Sequence, residues 1–132
     1  MQTIDQALEK LQRSKFRSSF HLTAAEKAYV ETKGEETVRR HAEDFVKSKL
    51  APAFPENDGR QTPTRGHPVF KAMHATACCC RGCLNKWYRV EKGVPLSEEA
   101  QKKIVALLMA WIARQVGGPE APRNARTKDE TR

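Results

Sequence analysis

No stretch of this sequence approaches the roughly 18 uncharged apolar residues of a membrane-spanning helix, so no membrane partner is expected. The first 15 residues alternate charge with leucine and lack the apolar core of a secretory signal, which makes a cytoplasmic address the expectation. No internal repeat is visible, and 132 residues (14.9 kDa) leave room for one hydrophobic core rather than two. Apolar residues reach only 39% and charged residues 30%, the composition of a soluble globular domain. Acid is in short supply: 24 Lys and Arg against 16 Asp and Glu give a formal net charge of +8.

That charge is unevenly placed. Residues 1–59 hold ten basic and ten acidic side chains and are neutral, whereas residues 60–103 hold nine basic against three acidic ones and also contain every cysteine. A basic patch concentrates phosphates and other anions and speeds encounter with them, although it carries no sequence information by itself. Arg60, Arg65, Lys71, Arg81, Lys86, Arg89 and Lys92 are the candidate polyanion contacts, with Trp87 or Tyr88 available to stack on a base. An ordinary solvated face would have the same composition.

The periodicity predicts a mainly α, single helical domain over residues 1–116 with little or no β structure. Thr3 with Gln6, and Thr23 with Glu26, have the spacing of capping boxes, each opening a short helix. Gly34 should stop the second, and Val38, His41, Ala42, Phe45, Val46 and Leu50 then mark one face of a third. This is a helix, glycine turn, helix unit whose second helix mixes Arg39 and Arg40 with Glu43 and Asp44, so a packed hairpin is favoured over a DNA-reading pair. Residues 51–66 are rich in Pro, Gly and the Asn57-Asp58-Gly59 turn signal and read as a long functional or clamped loop. Residues 67–74 could be a strand or a helical turn. Ser97 caps a helix with Ile104, Leu107, Leu108, Trp111 and Ile112 on one stripe, ended by Gly117-Gly118-Pro119. Residues 117–132 have almost no large apolar side chain and are expected to form a disordered basic tail.

All four cysteines fall in the run Cys78-Cys79-Cys80-Arg81-Gly82-Cys83, with His74 and His67 upstream. Neighbouring cysteines in a reducing compartment are poor disulfide partners, whereas Cys80-x-x-Cys83 lets two thiolates turn onto one ion, and histidine supplies a nitrogen donor that zinc accepts. Four donors drawn from His67, His74, Cys79, Cys80 and Cys83 would complete a zinc site that clamps the long loop. They cannot all be ligands, because successive side chains on a helix or strand diverge. A second C-x-x-C is missing. Buried cysteines packing as small hydrophobes, a redox dithiol, and an iron and sulfur cluster are the competing readings. The order His41-Ala42-Glu43 followed by Cys80-x-x-Cys83 also imitates the zinc deaminase signature, but Cys79 stands where that signature has Pro and the segment before His41 is helical. A metal-assisted nuclease would need paired carboxylates, and only Asp58 lies near the cluster in sequence.

The stretches Arg65-Gly66-His67-Pro68-Val69-Phe70, His74-Ala75-Thr76-Ala77, Cys79-Cys80-Arg81-Gly82-Cys83-Leu84 and Lys86-Trp87 resemble the bacterial and phage domain-of-unknown-function family four-one-eight-six. The resemblance runs from Lys15-Phe16-Arg17 through Leu50-Ala51-Pro52 and Gln61-Thr62-Pro63 to Trp111-Ile112. It implies a compact, largely helical unit with clustered histidines and cysteines, and no assigned activity. The family pattern places His after the Trp, where this chain has Tyr88, and Thr before the two cysteines, where this chain has Cys78. If that His is a ligand in the family, Cys78 or His67 would have to substitute for it here.

The expectation is a small zinc-binding basic protein that contacts a polyanion, nucleic acid first among them, and is a binding protein rather than an enzyme. A metal-dependent hydrolase using the same Cys/His site, with residues 57–66 as its lid, and a protein-interaction module of phage or bacterial origin are the alternatives.

Overall fold

The computed structural model describes residues 3–117. Within them lie six α-helices and no strand: α1 (Ile4–Gln12), α2 (Ala24–Lys33), α3 (Glu35–Lys49), α4 (Pro68–Ala75), α5 (Arg81–Tyr88) and α6 (Glu98–Gln115), with a 3-10 turn at Arg17–Ser19 between the first two. The proposed tail lies outside the described residues, apart from Gly117.

Each of the first two helices starts where its side chains satisfy otherwise orphaned amides. The Thr3 hydroxyl accepts the Gln6 N–H and the Gln6 side chain accepts the Thr3 N–H, and Thr23 and Glu26 repeat the arrangement. Gly34, at φ 89°, ends α2 and begins α3 without a spacer residue, a backbone conformation that a side chain would strain. On α3 the buried residues are Val38, Ala42 and Val46, four apart, with Leu50 continuing the row; His41 and Phe45 flank it half-buried. The Ser97 hydroxyl accepts the Ala100 N–H and starts α6, which buries Ile104, Val105, Leu107, Leu108, Met109 and Ile112. This last helix is the centre of the molecule, packing against α1, α3 and α4.

Residues 67–74, ambiguous by period, are helical from 68 on: α4 starts on Pro68, whose ring suits the first helical turn, and the extended His67 caps it by accepting the Val69 N–H on Nδ1 at 3.0 Å. The cysteines sit just beyond the other end of α4. Ala77, at φ 61°, reverses the chain there, and the Cys78 N–H reaches back to the Met73 carbonyl at 2.7 Å. Cys80 then serves as the N-cap of α5.

The long loop is held by protein groups. Gln61 bonds the Lys49 carbonyl and the Asp58 carboxylate, and the buried Thr62 hydroxyl donates to the Cys79 carbonyl at 2.9 Å. The largest clamp is Arg81. Its guanidinium donates to the carbonyls of Leu50 (3.1 Å), Pro52 (2.7 Å), Glu91 (2.7 Å) and Val94 (2.7 Å), tying the end of α3 to the segment that leads into α6. At 1% exposure it is the largest fully buried side chain, so the expectation that Arg81 contacts a polyanion is corrected: its charge faces backbone carbonyls in the interior.

Candidate metal centre

The turn from α4 into α5 gathers three of the five expected ligands. The Sγ atoms of Cys79, Cys80 and Cys83 all lie within 4.8 Å of one another, and those of Cys79 and Cys83 are 3.5 Å apart. Because Cys80 caps α5, the Cys83 N–H points at the Cys80 sulfur at 3.3 Å. That bond aims the positive end of the amide dipole at a sulfur that must carry negative charge to hold an ion. Gly82 lies between the two, and a β-carbon there would come 3.8 Å from the Cys80 sulfur, an ordinary contact, so the turn does not depend on glycine for space.

A cation already faces this group. Arg17, in the 3-10 turn and only 9% exposed, directs Nη2 to the Cys83 sulfur at 3.2 Å and Nη1 to the Cys79 sulfur at 3.7 Å and to the His74 carbonyl at 2.7 Å. Its other face lies over the Phe16 ring, 4.9 Å from the centroid. The hydrogen bond from Cys83 holds the Cys79 thiol down at about 7 against the opposing effect of burial, with Arg17 adding to the lowering. Cys83 moves the other way, because its proton serves Cys79 and because it is partly buried. Burial also raises Cys80. Cys78 points elsewhere: it is buried, its thiol donates to the Thr76 carbonyl at 3.6 Å, and burial pushes it up to about 12.

The two histidines expected at the site are placed otherwise. His74 uses Nε2 on the Thr62 carbonyl (2.9 Å) and stacks on Phe20, with centroids 5.6 Å apart. His67 lies near the opposite end of α4, seven residues and so about 10 Å along the axis from His74. Its Nε2 is 3.0 Å from Nδ1 of His41. Since His67 Nδ1 accepts the Val69 N–H, the proton of the neutral ring is on Nε2 and is donated to His41. Tyr29, Phe45 and Phe70 surround the pair. His41 is thereby engaged with His67, and the deaminase-like pairing of His41 with the cysteines is not assembled.

Burial and the neighbouring His41 hold His67 down at about 4 against its ordinary 6.5. An unfolded chain takes up a proton at this histidine below pH 6.5 while the folded chain resists until about 4, so this contribution to stability is full above 6.5 and lost progressively between 6.5 and 4. Asparagine at 67 can still cap α4. His67→Asn is therefore expected to flatten the fall in urea stability between pH 7 and pH 5; an unchanged fall would contradict this assignment.

Of the candidate polyanion contacts, Arg60, Arg65, Lys86, Arg89 and Lys92 are exposed. Lys71 is half-buried, paired with Glu26 at 2.9 Å and bonded to the His21 carbonyl at 3.0 Å. Trp87 packs partly into the core beneath Lys10, and the Tyr88 hydroxyl donates to the Thr76 carbonyl, so neither ring is a free stacking platform. Arg17 was not anticipated as a site residue. Nothing in the local pattern marks it, since its partners lie 57 to 66 residues away.

The family model described as a domain of unknown function (DUF4186) matches residues 5–113, nearly the whole described structure. The chain belongs to this family. No solved structure matches it. Family membership thus carries no activity to this chain, and what it does has to be argued from the cysteine group and the surface charge. For the family member described here, that group could hold a metal ion with three sulfur donors.

Proposed function

We propose that this protein binds zinc through Cys79, Cys80 and Cys83 and uses its exposed basic side chains to contact a polyanion, nucleic acid in the first instance. The observation that carries the reading is the convergence of three sulfurs within 4.8 Å on a turn where one accepts a backbone N–H and two face a guanidinium. These partners favour thiolate over thiol, the form that binds metal, and an all-sulfur set suits zinc. Packing alone does not call for such partners. Buried cysteines acting as small hydrophobes, like Cys78, need neither an arginine nor an amide aimed at their sulfur. Free thiols of this kind persist in a reducing compartment, which fits a cytoplasmic setting.

The second part rests on Arg60, Arg65, Lys86, Arg89 and Lys92, all of them exposed. Electrophoretic shifts with unrelated DNA and RNA duplexes are expected to show binding that weakens steeply as salt rises, and Lys86→Gln with Arg89→Gln should reduce both the affinity and the salt slope. Absence of binding at low salt, or binding indifferent to salt, would overturn the polyanion reading and leave the metal reading standing.

A further inference from the structure

We infer that the metal centre is open: the ion held by Cys79, Cys80 and Cys83 keeps one coordination position that no side chain among the described residues fills, available to an exchangeable neutral oxygen or nitrogen donor. The inference rests on the three-thiolate reading above. Its first support is where the donors expected at the site point. All four histidines and all four cysteines of the chain lie among the described residues, and the group that converges contains three of them. His74 spends Nε2 on the Thr62 carbonyl, His67 is divided between the α4 cap and His41, and Cys78 is turned to the Thr76 carbonyl. Asp58, the nearest acid in the loop, accepts the Arg81 N–H at 3.1 Å and the Gln61 amide at 3.0 Å. None of these belongs to the group of mutually close donor atoms, which among the described residues consists of the three sulfurs.

The second support is charge. Three thiolates carry −3, a divalent ion +2 and Arg17 +1, so the centre is neutral with an uncharged fourth ligand and negative with an anionic one. Desolvation penalises net charge in a partly buried site, which selects the neutral donor. Access is the third. Cys79 and Cys80 are buried while Cys83 is only partly so, leaving the Cys83 side of the ion as the approach for an external ligand. Three protein ligands with a free position is the pattern of zinc sites that act on a bound molecule, whereas closed structural sites use four protein ligands.

Cobalt(II) reports this directly, since its visible bands change with its ligands and its ultraviolet bands report sulfur coordination. Full-length protein reduced with a phosphine and loaded with one equivalent of cobalt is titrated with imidazole. The expected result is a saturable shift of the visible bands at one imidazole per ion, with cobalt still bound to the protein after gel filtration. His74→Gln and Cys78→Ala should leave both the starting spectrum and the shift unchanged and alter cobalt affinity by less than about threefold, because neither side chain is a ligand. Visible bands indifferent to imidazole, or a starting spectrum altered by either substitution, would reveal a fourth protein ligand and overturn the open site while leaving the three-thiolate reading in place. Failure of cobalt to bind with sulfur charge-transfer bands would instead overturn both.

Discussion

Arg81→Met is expected to cost about 3 to 5 kcal/mol of folding stability and to lower the thermal midpoint by on the order of 10 °C. Methionine keeps the packing of the arginine stem, so any cavity is confined to the space of the guanidinium. What disappears is the donor set for the carbonyls of Leu50, Pro52, Glu91 and Val94, drawn from two segments that are also joined by the Leu96 N–H to the Ala51 carbonyl. Leaving buried carbonyls without donors costs about 1 kcal/mol or more each, partly offset by no longer burying a guanidinium. Lysine should rescue little, since an ammonium has three donors on one atom and cannot span four carbonyls that a planar fork reaches. Thermal and urea unfolding of the reduced, metal-free protein measure the effect. A loss under about 1 kcal/mol would mean that the loop is held by something other than this side chain.

Cys83→Ser is expected to lower metal affinity by at least about 100-fold, the scale on which even outer partners of metal ligands act. Cys83 has a double part. Its sulfur is one of the three donors, and its backbone N–H holds the Cys80 sulfur in place. Serine keeps the amide and the helix while replacing the sulfur by a hydroxyl that stays protonated, so the substitution isolates the donor. Cys78→Ala, one residue outside the group, should change affinity by less than about threefold. Competition with a chromophoric chelator gives both values. Equal losses for the two would mean that the cysteines act through packing.

The helix ends that were legible in the sequence are those with conventional caps: Thr3, Thr23, Gly34 and Ser97 all mark boundaries that the structure keeps. The starts of α4 and α5 were not legible because His67 and Cys80 do the capping, side chains whose capping role depends on rotamer rather than residue type. The cysteine convergence could be read because its members lie within five residues. Proximity in sequence misled for the histidines: seven residues are close along the chain but far along a helix. Arg17 and Arg81 were illegible for a different reason. The partners of Arg81 are mostly backbone carbonyls, which every sequence contains, and the sulfurs that receive Arg17 are brought to it only when α4 docks beside the 3-10 turn. Charge alone therefore grouped Arg81 with the exposed basic residues, whereas burial separates it from them.

The central claim is that three sulfurs of this chain hold one ion, and the most direct measurement is elemental analysis of protein purified under reducing conditions without added metal, alongside its Cys79→Ser, Cys80→Ser and Cys83→Ser variants. About one equivalent of zinc in the parent, falling below about 0.2 in each variant while the helical circular dichroism is retained, is the predicted result. A folded parent with less than about 0.2 equivalents of any transition metal, which takes up none when zinc is supplied, would contradict it.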